Sequence, residues 1–138
     1  MIKNCNVIDL PKISDSRGNL TFIEQLNHVP FEIKRIYYLY NVPQSAERGG
    51  HAHKKLHQLF IAISGSFDIQ LDDGFTKKTV RLNACSQGLY VCPMIWRELY
   101  NFSPNAVCMV LASDYYSEND YIRKHADFIS SIKKQEIK

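Results

Sequence analysis

No run in this chain approaches the about 20 consecutive apolar residues that span a bilayer, so nothing in it points to a membrane helix. The opening stretch, MIKNCNVIDLPK, is broken by Asn4, Asn6 and Asp9. That is not the pattern of a secretory leader, and a cytoplasmic protein is expected. Charge of one sign is missing as well. Seventeen basic residues stand against 14 acidic ones, for a net charge of +3. That balance is too mild and too scattered to argue for nucleic acid; a small ligand bearing phosphate suits it equally well. Cys5, Cys85, Cys92 and Cys108 form no CxxC pair. Three of them lie in apolar stretches, so buried reduced thiols are expected rather than a disulfide framework. Linkers, internal repeats and low-complexity segments are also lacking. Residues 1–138 therefore read as one domain. With 45% apolar and 22% charged residues, that domain can build a core and disorder is disfavoured.

What the chain does have is a succession of short β-rich runs with turn signals between them. LTFIEQL (20–26) follows the turn DSRGN, and IKRIYYLYNV (33–42) is β-branched and aromatic. LHQLFIAI (56–63) and SFDIQL (66–71) flank Ser64 and Gly65, and DDG (72–74) turns the chain into FTKKTVRL (75–82). GLYVCP (88–93), WRELYNF (96–102) and AVCMVLAS (106–113) continue the series. In SFDIQL, Phe67, Ile69 and Leu71 share one face while Asp68 and Gln70 share the other. So many closely spaced strands predict an all-β antiparallel sandwich or small barrel. Helix is expected only near the end. Ser117 would cap it, with Glu118 and Asp120 in its first turn and Lys133 and Lys134 in its last. Tyr121, Ile122, His125, Phe128, Ile129 and Ile132 would form its apolar stripe.

The stretch RGGHAHKKLHQLFIAISGS (48–66) carries the chemistry. It holds His51, His53 and His57 between a double glycine and an apolar run. Strand side chains alternate, so His51 and His53 point to one side of an extended segment. Such a pair facing a cavity serves either as metal ligands or as an acid–base couple. The spacing resembles the first motif of the cupin superfamily, with Gly50, His51, His53 and Gly65 in place. The acidic position of that motif falls on Gln58. The second cupin motif is matched by Gly88, Pro93 and Asn101, but its histidine position falls on Arg97. A metal cupin needs three or four ligands. Gln58 is a poor one, and Arg97 cannot be deprotonated to become one. At an effective dielectric of ~20, a cation ~4 Å from a unit charge feels about 4 kcal/mol, so Arg97 would oppose a divalent ion. His57 or Glu98 could in principle supply a third ligand. The residue pattern favours no metal and no cofactor. Two neighbouring imidazoles titrate near their working pH, and an arginine beside them can stabilise a developing oxyanion.

The chain resembles more than a generic cupin. DSRGNLTFIE (15–24), PFEIKRIYYLYNV (30–42), the histidine stretch, LDDG (71–74), GLYVCPMIWRE (88–98) and VLASDYYSENDYIR (110–123) are similar to the dTDP-4-oxo-6-deoxy-D-glucose 3,4-ketoisomerases, the WxcM-like sugar ketoisomerases. The resemblance implies a cupin-type antiparallel β-barrel (jelly roll) with a short C-terminal helix. It implies a metal-free isomerase that moves the keto group of a dTDP-linked 4-oxo-6-deoxyhexose from C4 to C3 through an enediol. The product would go on to 3-amino-3,6-dideoxy sugars of surface glycans. His51 would be the proton-transferring base and His53 its partner or a second acid. Arg48 would pair with diphosphate, and Tyr37 would hydrogen-bond the sugar or donate a proton. Trp96 fits either a core anchor or a stacking platform. Arg17 lies in a turn that could reach a barrel mouth. Arg97 replaces a histidine common after this tryptophan, which leaves the C4 configuration open. A homodimer with exchanged N-terminal strands is implied as well. The rival readings are a cupin epimerase on the same ligand, a non-catalytic sugar-nucleotide binder and a metal-dependent oxygenase.

Overall fold

The computed structural model describes residues 2–137. The apolar runs form strands β1 (Asn6–Asp9), β2 (Lys12–Asp15), β3 (Gly18–Thr21), β4 (Arg35–Leu39), β5 (Arg48–His53) and β6 (Gln58–Ser64). They continue as β7 (Phe67–Asp72), β8 (Lys77–Leu82), β9 (Gln87–Val91), β10 (Trp96–Tyr100), β11 (Val107–Ala112) and β12 (Tyr121–Ile122), followed by helix α1 (His125–Ile137). One five-stranded antiparallel sheet has the order β1-β9-β6-β11-β4, and a second has the order β12-β5-β10-β7-β8. The two pack face to face as a jelly roll and do not close into a continuous barrel.

The alternation in SFDIQL is realised in β7, where Phe67, Ile69 and Leu71 are each 0% exposed. They meet Phe60, Ala62, Leu89 and Val110 of the facing sheet. Full burial of such a side chain contributes about 1.5–3 kcal/mol. β6 reads as an unbroken apolar run because both its faces are covered. Phe60 and Ala62 face the interior, while Leu59 and Ile61 face an outer layer made by Leu10, Val29 and Phe31. A third cluster, Ala52, Trp96, Ile122 and Phe128, lies beneath α1.

The ends of the chain depart from expectation. The helix starts at His125, not after Ser117. Ser117 precedes a single 3-10 turn, Glu118–Asp120, and makes no side-chain cap bond. Tyr121 and Ile122 then pair with His53 and Ala52 as β12. Pairing with the open edge of β5 overrides the local helix preference. Near the N-terminus, β1 and β2 have no counterpart among the expected strands, and LTFIEQL is strand only to Thr21. The β2–β3 hairpin pairs with neither large sheet. It leaves Ile13 and Leu20 exposed. The thiols are free: Cys5 and Cys108 are buried and Cys92 is half-buried, but Cys85 is exposed, contrary to the expectation of buried thiols.

Candidate active site

The double glycine explains how β5 reaches its neighbour. Gly49 and Gly50 have φ of +86° and +70°, and a Cβ on Gly49 would stand 3.0 Å from the Arg97 carbonyl oxygen. Glycine is the residue that takes this backbone at no steric cost. The β5–β10 ladder also shifts register between Arg97 and Glu98. Such irregularities re-aim side chains and gather beside active sites. Here His51 pairs with Arg97 across the ladder. Ala52, between the histidines, points the other way into the core under α1.

His51 and His53 meet edge to face with ring centroids 4.9 Å apart. Tyr121 packs against both, at 4.9 Å from His51 and 4.4 Å from His53. His53 is 1% exposed. Its Nδ1 lies 3.0 Å from Asp120 Oδ2, and Asp120 Oδ1 accepts the Lys55 backbone N–H at 2.8 Å. The His53 Nε2 is buried without a hydrogen-bond partner. Burial, then the neighbouring Arg97 charge, lowers the His51 pKa to about 4. The same two causes, followed by His51 itself, lower His53 to about 2. Both imidazoles are therefore neutral bases near pH 7.

Arg97 is 1% exposed. Its Nε and Nη2 donate to the Ile95 carbonyl at 3.1 and 3.0 Å, and its Nη1 donates to Gln58 Oε1. Gln58 Nε2 in turn donates to the Tyr37 hydroxyl at 2.9 Å. Among the described residues no carboxylate pairs with Arg97. Burial pulls its pKa down to about 10, which still leaves it a cation. Burial raises the Tyr37 hydroxyl, which therefore stays protonated.

His51 and Arg97 open into a cleft of about 320 Å³ also lined by Tyr37, Arg35, Arg48 and Arg123. Among the described residues, four arginines and no carboxylate line this cleft, which suits a ligand carrying negative charge. A neighbouring hollow of about 340 Å³, lined by Lys54, Lys55 and Asp120, shares Arg35 and Tyr121 with it. Arg123 is held in place by Glu118 at 2.6 and 2.8 Å and lies 4.1 Å over the Tyr121 ring.

Of the residues singled out in the sequence, His51, Tyr37, Arg48 and Arg97 line this cleft, and His53 lies beside it. Two others do not join them. Trp96 is 7% exposed beneath α1 and meets His125 edge to face at 5.1 Å. Neighbouring strand residues face opposite ways, so Arg97 inside puts Trp96 outside; it is a core anchor, not a platform in the cleft. Arg17 sits at the exposed turn of the β2–β3 hairpin, bonded to Asp15 at 2.7 Å. Neither possible third metal ligand is at hand. His57 Nδ1 lies 2.6 Å from the Tyr90 hydroxyl, and Glu98 faces a shallow hollow with Asp72 and His125. Among the described residues no three His, Cys, Asp or Glu side chains gather to hold an ion. With Arg97 and Gln58 bonded to each other beside His51, the donor set does not fit a divalent metal.

Asp120, Tyr121, Arg35 and Arg123 were not anticipated as site residues. The contact of Asp120 with His53 spans 67 positions, and no local periodicity announces such a pair. The acidic and aromatic composition of SDYYSENDY was the available signal.

The family model described as FdtA: WxcM-like, C-terminal matches residues 3–133. A TDP-4-oxo-6-deoxy-alpha-D-glucose-3,4-oxoisomerase of Aneurinibacillus thermoaerophilus is 47% identical over 128 residues, 93% of this chain and 92% of that protein. The crystal structure of the 3,4-ketoisomerase QdtA from Thermoanaerobacterium thermosaccharolyticum, a histidine-to-asparagine mutant in complex with TDP-4-keto-6-deoxyglucose, superposes with a TM-score of 0.94 at 43% identity, covering 97% of each chain. The WlaRB TDP-quinovose 3,4-ketoisomerase of Campylobacter jejuni superposes with a TM-score of 0.90 at 46% identity, covering 94% of this chain and 99% of that one. Fold, histidine pair and sequence match lead to one statement: this chain belongs to the FdtA (WxcM-like) family of sugar ketoisomerases.

Proposed function

We propose that the chain moves the keto group of dTDP-4-oxo-6-deoxy-D-glucose from C4 to C3. The observation that carries this reading is the neutral imidazole of His51 set opposite a buried, carboxylate-free Arg97 in an arginine-lined cleft. The C4 carbonyl acidifies the C3–H bond. His51 takes that proton, and the bond electrons form a C3=C4 enediolate whose charge rests on O4. The Arg97 cation, which lines the cleft with His51, would stabilise that oxygen. O4 then takes a proton to give the neutral enediol, which takes a second proton at C4 while the 3-hydroxyl gives up its own, leaving a carbonyl at C3 and a hydroxyl at C4. His53 serves as the partner proton carrier, and the step uses no oxidant and no hydride carrier. Arg48, Arg35 and Arg123 at the cleft would hold the diphosphate, and the Tyr37 hydroxyl would bind the sugar.

The same reading extends to the setting. The product would serve transamination toward 3-amino-3,6-dideoxy sugars of surface glycans, made in the cytoplasm. A homodimer with exchanged N-terminal strands is favoured by the β2–β3 hairpin, which pairs with neither large sheet of its own chain and exposes Ile13 and Leu20. Such an exchange would let Arg17 serve the cleft of a second copy.

Pure protein incubated with dTDP-4-oxo-6-deoxyglucose and followed by carbon NMR tests the assignment. A product carbonyl at C3 is expected. A carbonyl that stays at C4 while C3 or C5 epimerises would replace the isomerase by an epimerase. Tight dTDP binding with no turnover would leave only a binding protein.

A further inference from the structure

The mechanism above leaves one contact unused. Asp120 belongs to the 3-10 turn before β12, far in sequence from β5, yet both its oxygens are committed to β5 and the turn after it. Oδ1 accepts the Lys55 backbone N–H at 2.8 Å, and Oδ2 meets His53 Nδ1 at 3.0 Å. A backbone N–H can only donate, so it fixes which way the carboxylate faces. A carboxylate can only accept, so the proton of this contact belongs to His53 Nδ1. The lone pair of the neutral ring is then on Nε2. That nitrogen is buried and has no partner. A buried base nitrogen left without a donor is costly in a protein interior, and such atoms gather where chemistry uses them. The ring cannot easily turn over either, because His51 and Tyr121 pack against it at 4.9 and 4.4 Å.

We propose that Asp120 is a positioning residue: it locks His53 in the Nδ1–H tautomer, so that the ring packed edge to face against His51 keeps a bare Nε2 as its proton acceptor. Asp120 touches no reacting atom. It acts through His53, and its catalytic role rests on the isomerase reading. In the proton traffic, Nε2 takes a proton from the sugar hydroxyl and later returns it. The Nδ1–H bond to Asp120 stays intact throughout and becomes charge-assisted while the ring is protonated. The 3-10 turn thus has a function that its sequence, read as a helix start, conceals.

The Asp120→Asn variant tests this. Its single carbonyl oxygen is claimed by the Lys55 N–H, and its NH2 then faces His53 Nδ1. The ring is forced to accept there and to carry its proton on Nε2. In the serine hydrolase triad, the comparable exchange lowers turnover by about 10⁴-fold. Here kcat is expected to fall by about 10²–10⁴-fold with KM and dTDP affinity changed less than about 3-fold. Long-range proton–nitrogen NMR of histidine-labelled protein reads the tautomer without any substrate. The wild type should show His53 protonated at Nδ1, and the variant should show it at Nε2. In a His53→Asn background, adding Asp120→Asn should cause no further loss, because the two residues act as a unit.

An Nε2–H tautomer in the wild type would overturn the proposal. So would a near-normal kcat in Asp120→Asn, or an equal loss in the His53→Asn background. Should the asparagine variant fail to fold, the wild-type tautomer still decides. Absence of ketoisomerase activity in the wild type would defeat the functional reading alone, since the tautomer is measured independently of it.

Discussion

Arg97 stands opposite His51 across the β5–β10 ladder, at the point where that ladder slips register. The charge is buried and receives no carboxylate, only the Ile95 carbonyl and Gln58. A cation held this way would have its remaining donors available to an anionic ligand. It also lowers the basicity of His51, after burial itself, and so keeps that base unprotonated.

If Arg97 stabilises the O4 oxyanion as proposed, replacing it by histidine removes a permanent charge from that oxygen. Turnover is expected to fall by about 10²-fold, the cost of losing one oxyanion donor. The ratio of C4 epimers in the product should shift, since the charge near the ring helps select the protonated face. Product NMR with steady-state rates checks both. A variant unchanged in rate and ratio would place the oxyanion elsewhere.

Gln58 holds Arg97 and Tyr37 together. In Gln58→Leu the Arg97 Nη1 and the Tyr37 hydroxyl both lose their partner in a buried setting. Each orphaned group costs about 1–3 kcal/mol, so urea unfolding should show a loss of roughly 2–6 kcal/mol. The measured loss should exceed that of a surface Gln→Leu change such as at Gln135, which is expected within about 0.5 kcal/mol.

The depressed histidines tie stability to pH. An unfolded histidine titrates near about 6.5, whereas folded His51 titrates at about 4. Between those values the unfolded chain binds more protons, so stability rises with pH and is complete above about 6.5. For His51 alone the loss on acidification from about pH 6.5 to 4 is roughly 3 kcal/mol. His53, lowered further to about 2, adds to it in the same direction. Urea melts across this range should show the decline, and His51→Asn should flatten it. A wild-type profile flat from pH 7 to 4 would mean that the pair is not buried as described.

Much of this was legible beforehand because its signals are local. Strand period put Phe67, Ile69 and Leu71 in the core, and H-x-H parity put His51 and His53 on one side. Gly49 and Gly50 announced a special backbone. What escaped depends on distant pairing. β12 exists because β5 has an edge to cover, not because Tyr121 and Ile122 form a strand by themselves. Trp96 could be weighed but not placed until α1 was seen to cover it. His57 shares the parity of His53, yet the chain leaves the strand after His53 and its ring turns to Tyr90.

The central claim is that the His51 imidazole removes the C3 proton and exchanges it with solvent before C4 is protonated, and solvent labelling tests it most directly. In D2O the wild-type protein should convert dTDP-4-oxo-6-deoxyglucose to a 3-oxo product with deuterium at C4. His51→Asn should bind dTDP with wild-type affinity and give no labelled product over the same time. Deuterium entering C4 at a near wild-type rate in His51→Asn would contradict the account.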